Sequence, residues 1–313
     1  MLTRGLGNLT RKRPYVVSFE ITHKCNVHCK HCHLGGPMEE ERASAADYAK
    51  IAREIRPIVA LVSGGEPLLR KDAEEIVAAL KRENAVLYVA MTTNAALLSR
   101  KRYQSLREAG VDRFSISVDY PDERHDEFRG LPGLFRKIES LVAELDEIGD
   151  KAVNISAVVQ RDNFRDLTAI ADLGRRWGVG VNFSTYTWLR TDDKNYCISE
   201  KELPEFKKVV AELIARKRTN RSIRTPDFIF HNMVKFFEDG GVGGCKAGER
   251  FFVVNADATL SPCGLIMRDY RSMEELRRDF TATNSCTACY TSLRADCESP
   301  PLQVIKDNIR ILG

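Results

Sequence analysis

Val16-Val17-Ser18-Phe19-Glu20-Ile21 runs almost directly into Cys25-Asn26-Val27-His28-Cys29-Lys30-His31-Cys32. The first stretch is apolar, β-branched and aromatic, which is a strand signal. The second is three cysteines in C-x3-C-x2-C spacing. Working outward, similar short runs follow at Ile58 to Val62, Val86 to Met91, Phe114 to Val118, Val153 to Val159 and Val179 to Phe183. Helical patterns lie between them. Asp72-Ala73-Glu74-Glu75 has the form of a capping box ahead of Ile76, Val77 and Leu80. Leu134, Ile138, Leu141, Leu145 and Ile148 share one helical face, as do Leu167, Ile170, Leu173 and Trp177, with Gly178 placed to stop the helix. Residues 199–218 read as one more helix.

Alternating strands and helices predict an α/β chain with a parallel sheet and right-handed crossovers. Six units are fewer than the eight of a closed barrel. The expected architecture is a partial (β/α)6 barrel with a small C-terminal cysteine-rich domain. Ligands of such sheets sit at the carboxyl ends of the strands. Gly240, Gly241, Gly243 and Gly244 crowd before Cys245, where the character of the sequence changes. The expected division is a basic tail over 1–14, a core over 15–221 and the cysteine-rich domain over 222–313.

The 313 residues are 43% hydrophobic and 29% charged, which argues against a disordered chain. No apolar run approaches the roughly 20 residues of a membrane-spanning helix. Arg4, Arg11, Lys12 and Arg13 read as a solvated tail, and no basic stretch interleaved with aromatics suggests a nucleic-acid partner. The nine cysteines cluster towards the two ends, and the expected location is cytoplasmic. In a reducing compartment such clusters bind metal more often than they pair as disulfides.

Cys25, Cys29 and Cys32 can hold three irons of a 4Fe–4S cluster and leave the fourth iron open to a ligand. A zinc site completed by His23, His28, His31 or His33 is the other occupant. Structural zinc usually uses paired C-x2-C spacings, so this spacing favours iron–sulfur. Towards the C-terminus, Phe251 to Val254, a turn at Asn255-Ala256-Asp257 and Thr259-Leu260 read as a hairpin between Cys245 and Cys263. Cys286-Thr287-Ala288-Cys289 and then Cys297 follow. Spacing alone leaves zinc and iron–sulfur equal there. Cys197 reads as a plain thiol.

The cysteine loop after the first strand resembles the defining motif of the radical S-adenosylmethionine (SAM) superfamily. Four further segments resemble that family in the expected order. They are Gly64-Gly65-Glu66-Pro67, Thr92-Thr93-Asn94 with Ala95 in place of a glycine, Ser115 to Asp119, and His125-Asp126 with Arg129-Gly130. The resemblance covers about residues 15–190. It implies that SAM chelates the open iron, with Glu66 as the anion for its amino group and His31 bordering its adenine. Asn94, Ser117, Asp119 and Arg129 are the other implied contacts. Gly64 and Gly65 would let the backbone approach closely, and Pro67 would fix the turn. The C-terminal cysteines resemble the twitch and SPASM auxiliary-cluster domains. That implies a second 4Fe–4S cluster on Cys245, Cys263, Cys286 and Cys289, with Cys297 as a substitute ligand or a free thiol.

The implied activity is reductive cleavage of SAM to a 5′-deoxyadenosyl radical that abstracts hydrogen from a substrate. The electron would come from a donor such as ferredoxin or flavodoxin. Only about 15 residues precede the first strand, and the chain ends Ile311-Leu312-Gly313 rather than in a Gly-Gly tail. The expected substrate is therefore a small molecule, with lipid and tetrapyrrole precursors among the classes. Maturation of a ribosomal peptide is the alternative. Outside enzymes, the alternatives are an iron–sulfur electron carrier and a zinc-binding module. The residues single out no catalytic acid or base.

Overall fold

The structure is a computed structural model that describes residues 8, 13–34, 39–82, 85–266 and 268–298. Arg4, Arg11 and Lys12 of the basic tail, and the end of the chain beyond 298, lie outside the described residues.

Six parallel strands form in chain order: β1 (Val16–Thr22), β2 (Val59–Gly64), β3 (Tyr88–Thr93), β4 (Arg113–Ser117), β5 (Val153–Val159) and β6 (Gly180–Thr185). Each pairs with the next, as expected for an open (β/α) barrel. The strands alternate. Val153, Ile155, Ala157 and Val159 of β5 are buried under helices, while Asn154, Ser156 and Val158 are less buried. Val17, Phe19 and Ile21 of β1 are fully buried in the same way. The opposite, inner wall therefore carries small hydroxyl residues such as Ser18, Ser63 and Thr92, which line an internal cavity.

The helices are α1 (Ala45–Ile55), α2 (Ala73–Lys81), α3 (Arg100–Ala109), α4 (Arg124–Arg129), α5 (Leu134–Glu147), α6 (Leu167–Trp177), α7 (Leu203–Arg216) and α8 (Asp227–Asp239). Helix α6 ends at Gly178 with φ 64°, as its sequence predicts. The capping box expected at Asp72 does not form, and Asp72 makes no side-chain cap. Its carboxylate instead accepts from Arg70 Nε at 2.7 Å and Nη2 at 2.6 Å. Helices α1, α3, α4 and α8 are additions to the sequence reading. In α3 only Tyr103 and Leu106 are buried, so its apolar signal is weak.

The C-terminal hairpin forms as expected from β7 (Phe251–Val254) and β8 (Leu260–Ser261), antiparallel to each other. Its position was not legible. β7 pairs parallel with β1, Val16 opposite Phe251 and Phe19 opposite Val254, so the hairpin extends the core sheet. Two short helices follow, α9 (Met273–Asp279) and α10 (Ser292–Glu298). Among the described residues no helix is long and apolar enough to cross a membrane.

Arg70 joins the barrel to its first crossover. It is buried, and its guanidinium donates to Ile21 O at 3.0 Å and Ala43 O at 2.9 Å. Arg70→Met would leave two buried carbonyls without donors. A loss of about 2–3 kcal/mol is expected, read as a lower urea midpoint than the wild type.

Candidate active site

The cysteine loop is seated by backbone contact. A Cβ on Gly64, whose φ is +134°, would lie 2.0 Å from Thr22 O; one on Gly65 would lie 2.2 Å from Lys24 O. Gly65 N donates to Thr22 O at 2.7 Å and Glu66 N to Lys24 O at 2.8 Å. The glycines thus let the end of β2 press against the residues leading into Cys25. On the other side, His28 N and Lys30 N donate to Arg129 O and Phe128 O at the end of α4. Cys29 is buried, Cys25 half-buried and Cys32 exposed.

Glu66 is fully buried. Its Oε1 accepts from Leu68 N at 3.1 Å and Thr93 Oγ1 at 2.7 Å, and its Oε2 from Asn94 N at 2.7 Å. Burial pushes its carboxyl up, and these hydrogen bonds offset only part of that. Its geometry is that of a brace between the ends of β2 and β3, while Pro67 opens the short turn Pro67–Leu69. Asn94 in turn donates to Asn26 Oδ1 at 2.9 Å and reaches Cys25 Sγ at 3.8 Å. Ala95, at the motif's glycine position, takes the left-handed conformation with φ 63°.

Asp119 and Arg129 are brought together as a buried pair, Nε to Oδ2 at 2.9 Å. Burial alone would raise the Asp119 carboxyl, but the Arg129 guanidinium holds it below the usual range. Arg129 also faces Cys29 and Cys32 electrostatically. Ser117 is partly exposed at the end of β4. The His31 ring stacks on Phe128 at 5.0 Å and meets Tyr186 edge-on at 6.4 Å. Burial lowers its pKa to about 4, so the ring is neutral.

Sequence reasoning missed Gln160 and Thr185. Gln160 follows β5 and Thr185 ends β6, so tracing every strand to its carboxyl end would have found them. Both amide atoms of Gln160, Thr185 Oγ1, His31 Nδ1 and His125 Nε2 are buried without a hydrogen-bond partner.

The C-terminal cysteines separate into two groups. Cys245, Cys263, Cys286 and Cys289 line one cavity of about 260 Å³, beside Ser18 and Glu20 of β1. Burial raises the Cys289 thiol to about 12, and Cys263 and Cys245 add to the shift. Cys297 is buried elsewhere, with its carbonyl accepting from Arg250 Nη1 at 3.3 Å. The structure does not bring it to the cavity.

Residues 19–174 match the family described as the Radical SAM superfamily. The chain belongs to this superfamily. An AdoMet-dependent heme synthase of Nitratidesulfovibrio vulgaris is 26% identical over 81% of this chain and 74% of its own length. One of Methanosarcina barkeri is 35% identical over 53% of this chain, which spans about half (48%) of that relative. Streptococcus suis SuiB, solved bound to S-adenosylmethionine, shares the fold. Its TM-score is 0.66 at 17% identity, covering 87% of this chain and 67% of that one. The radical SAM chain is thus an enzyme that works with a 4Fe–4S cluster and SAM.

Among the described residues no three Cys, His, Asp or Glu side chains form a ready single-ion site. The fit therefore rests on the spaces around the thiols and on the polar atoms beside them. A buried polar atom without a partner costs about 1–3 kcal/mol. Several of them at neighbouring strand ends mark a place built for a polar ligand. The donor set at Cys25, Cys29 and Cys32 is right for a cluster with one open iron, so the radical SAM cofactors fit these residues.

Two outcomes test this geometry. Gly65→Ala should unseat the loop, and the iron retained by anaerobically reconstituted protein should fall relative to the wild type. Arg129→Met should leave Asp119 buried and unpaired, at a cost of about 3–5 kcal/mol near neutral pH. Asp119 would then have a raised folded-state pKa, so the native state would hold a proton that the unfolded state releases above about pH 4. The stability gap between wild type and Arg129→Met should widen as pH rises from about 4 to 7 and shrink on acidification. Chemical denaturation at several pH values measures it.

Proposed function

We propose that this enzyme cleaves SAM reductively at a cluster held by Cys25, Cys29 and Cys32 and acts on a tetrapyrrole-class small molecule. The observation that carries the first half is the cysteine loop, clamped at the carboxyl ends of β1 and β2 beside unpartnered buried polar groups. A cluster held by Cys25, Cys29 and Cys32 would supply one-electron reduction of SAM, the electron coming from an external donor such as ferredoxin or flavodoxin. The protein's own residues bind, orient and exclude water. Gln160, Thr185 and Ser117 offer polar atoms to SAM, and the neutral His31 ring offers a flat border for adenine. Asp119 and Arg129 hold each other, and Glu66 and Asn94 hold the loop, so these four act by positioning.

The tetrapyrrole reading is supported by the two heme-synthase relatives, one aligned over most of this chain. A second cluster on Cys245, Cys263, Cys286 and Cys289 is proposed from the cavity these four line. Such a cluster would accept an electron from the substrate radical. The cytoplasm is the proposed compartment, because ligand thiols must stay reduced.

The test is anaerobically reconstituted protein with SAM and dithionite, with and without an iron porphyrin bearing carboxylate side chains. Formation of 5′-deoxyadenosine should require all three loop cysteines and rise when the porphyrin is added. Cleavage that a ribosomal peptide stimulates and the porphyrin does not would move the substrate class to peptides. No cleavage at all would sink the reading.

A further inference from the structure

Arg294 is the largest fully buried side chain among the described residues. It lies in the first turn of α10 and lines the cavity shared by Cys245, Cys263, Cys286 and Cys289. Its Nη1 donates to Cys289 O at 2.7 Å. Its Nη2 donates to Val242 O at 2.6 Å and Gly243 O at 2.8 Å. Its Nε donates to Glu298 Oε1 at 2.7 Å. One guanidinium therefore ties the strand of chain entering Cys245 to the one leaving Cys289. The planar fork suits this job, because it can direct parallel donors at carbonyls on two segments.

The placement of charge is informative. Glu298 meets the guanidinium at Nε, one turn further along the helix. The Nη1 and Nη2 ends point at the cysteine-bearing segments, and the charge bears on the thiols of Cys245 and Cys289.

We infer that Arg294 is a positioning residue for the auxiliary cluster, joining its two cysteine segments and raising its reduction potential. This rests on the second-cluster reading given above. A cluster enclosed by four thiolates becomes more negative when it takes up an electron. A buried cation beside it favours that reduced form, and net charge and nearby hydrogen bonding are the levers that set such potentials. Glu298, paired with the same cation, works against it.

The experiment uses full-length protein reconstituted with iron and sulfide in a parent lacking Cys25, Cys29 and Cys32, so that only C-terminal iron contributes. Iron content and the midpoint from a spectroscopic redox titration are read for the parent, Arg294→Lys, Arg294→Met and Glu298→Gln. The parent should hold about four irons. Arg294→Met should lower the reduced-to-oxidised ratio at a fixed potential about tenfold, a shift of about 59 mV for a one-electron couple. Arg294→Lys keeps the charge and should restore most of it. Glu298→Gln should move the midpoint upward. If Arg294→Met loses its iron, as the joining role allows, the Lys and Gln variants decide the matter. Four irons with no movement of the midpoint in Glu298→Gln or Arg294→Met overturns the Arg294 role alone. A parent with no iron takes down the second cluster and this proposal together.

Discussion

The contact on which the site depends is that between the main chain of Gly64 and Gly65 and that of Thr22 to Lys24. Parallel neighbours normally keep their backbones about 4.8 Å apart. Past the ends of β1 and β2 the chains close on each other, and the carbonyls of Thr22 and Lys24 fill the space where side chains of residues 64 and 65 would go. The register slips between Glu20 and Thr22, so Thr22 faces Gly64. Such irregularities re-aim a strand's end and recur beside active sites. The slip turns the chain out of the sheet just before Cys25. Glu66 then secures the arrangement laterally by taking donors from Thr93 and Asn94, so the ends of β1, β2 and β3 are fixed as one unit.

Buried charge follows the same logic one strand further on. Isolated, an ionised Asp119 would be expensive to bury. Arg129 neutralises it, Val158 N donates to its Oδ1 at 3.1 Å, and Asn163 binds its main-chain carbonyl. A buried pair of this kind adds little net stability compared with apolar packing. Its value here is positional, because the main chain of the same Arg129 receives His28 N from the cysteine loop. The pair thus carries the position of β4 to the loop.

Most of the core was legible because its signals are local. Alternation marks the strands, and a C-x3-C-x2-C loop needs only the order of residues. What was less legible has several causes. That Glu66 takes donors from Thr93 and Asn94 depends on residues 27 and 28 positions away. Asp72 looks like a cap until Arg70 turns back to claim it. Helix α3 is polar almost throughout, so two buried residues gave too faint a period. For Cys297, spacing could not tell whether it would reach the cavity. Arg294, three residues before it, lines that cavity, and Cys297 does not.

The pairing of β7 with β1 ties the N-terminal cysteine loop and the C-terminal hairpin into one sheet. β1 leads at its carboxyl end into Cys25, and its inner residues Ser18 and Glu20 line the C-terminal cysteine cavity. From Glu20 to Cys25 the chain can span at most about 17 Å even when fully extended. The hairpin turns Cys263 back towards Cys245, and β7 holds both against β1 through backbone hydrogen bonds rather than through a mobile linker. The two sets of thiols therefore cannot drift apart without breaking the sheet.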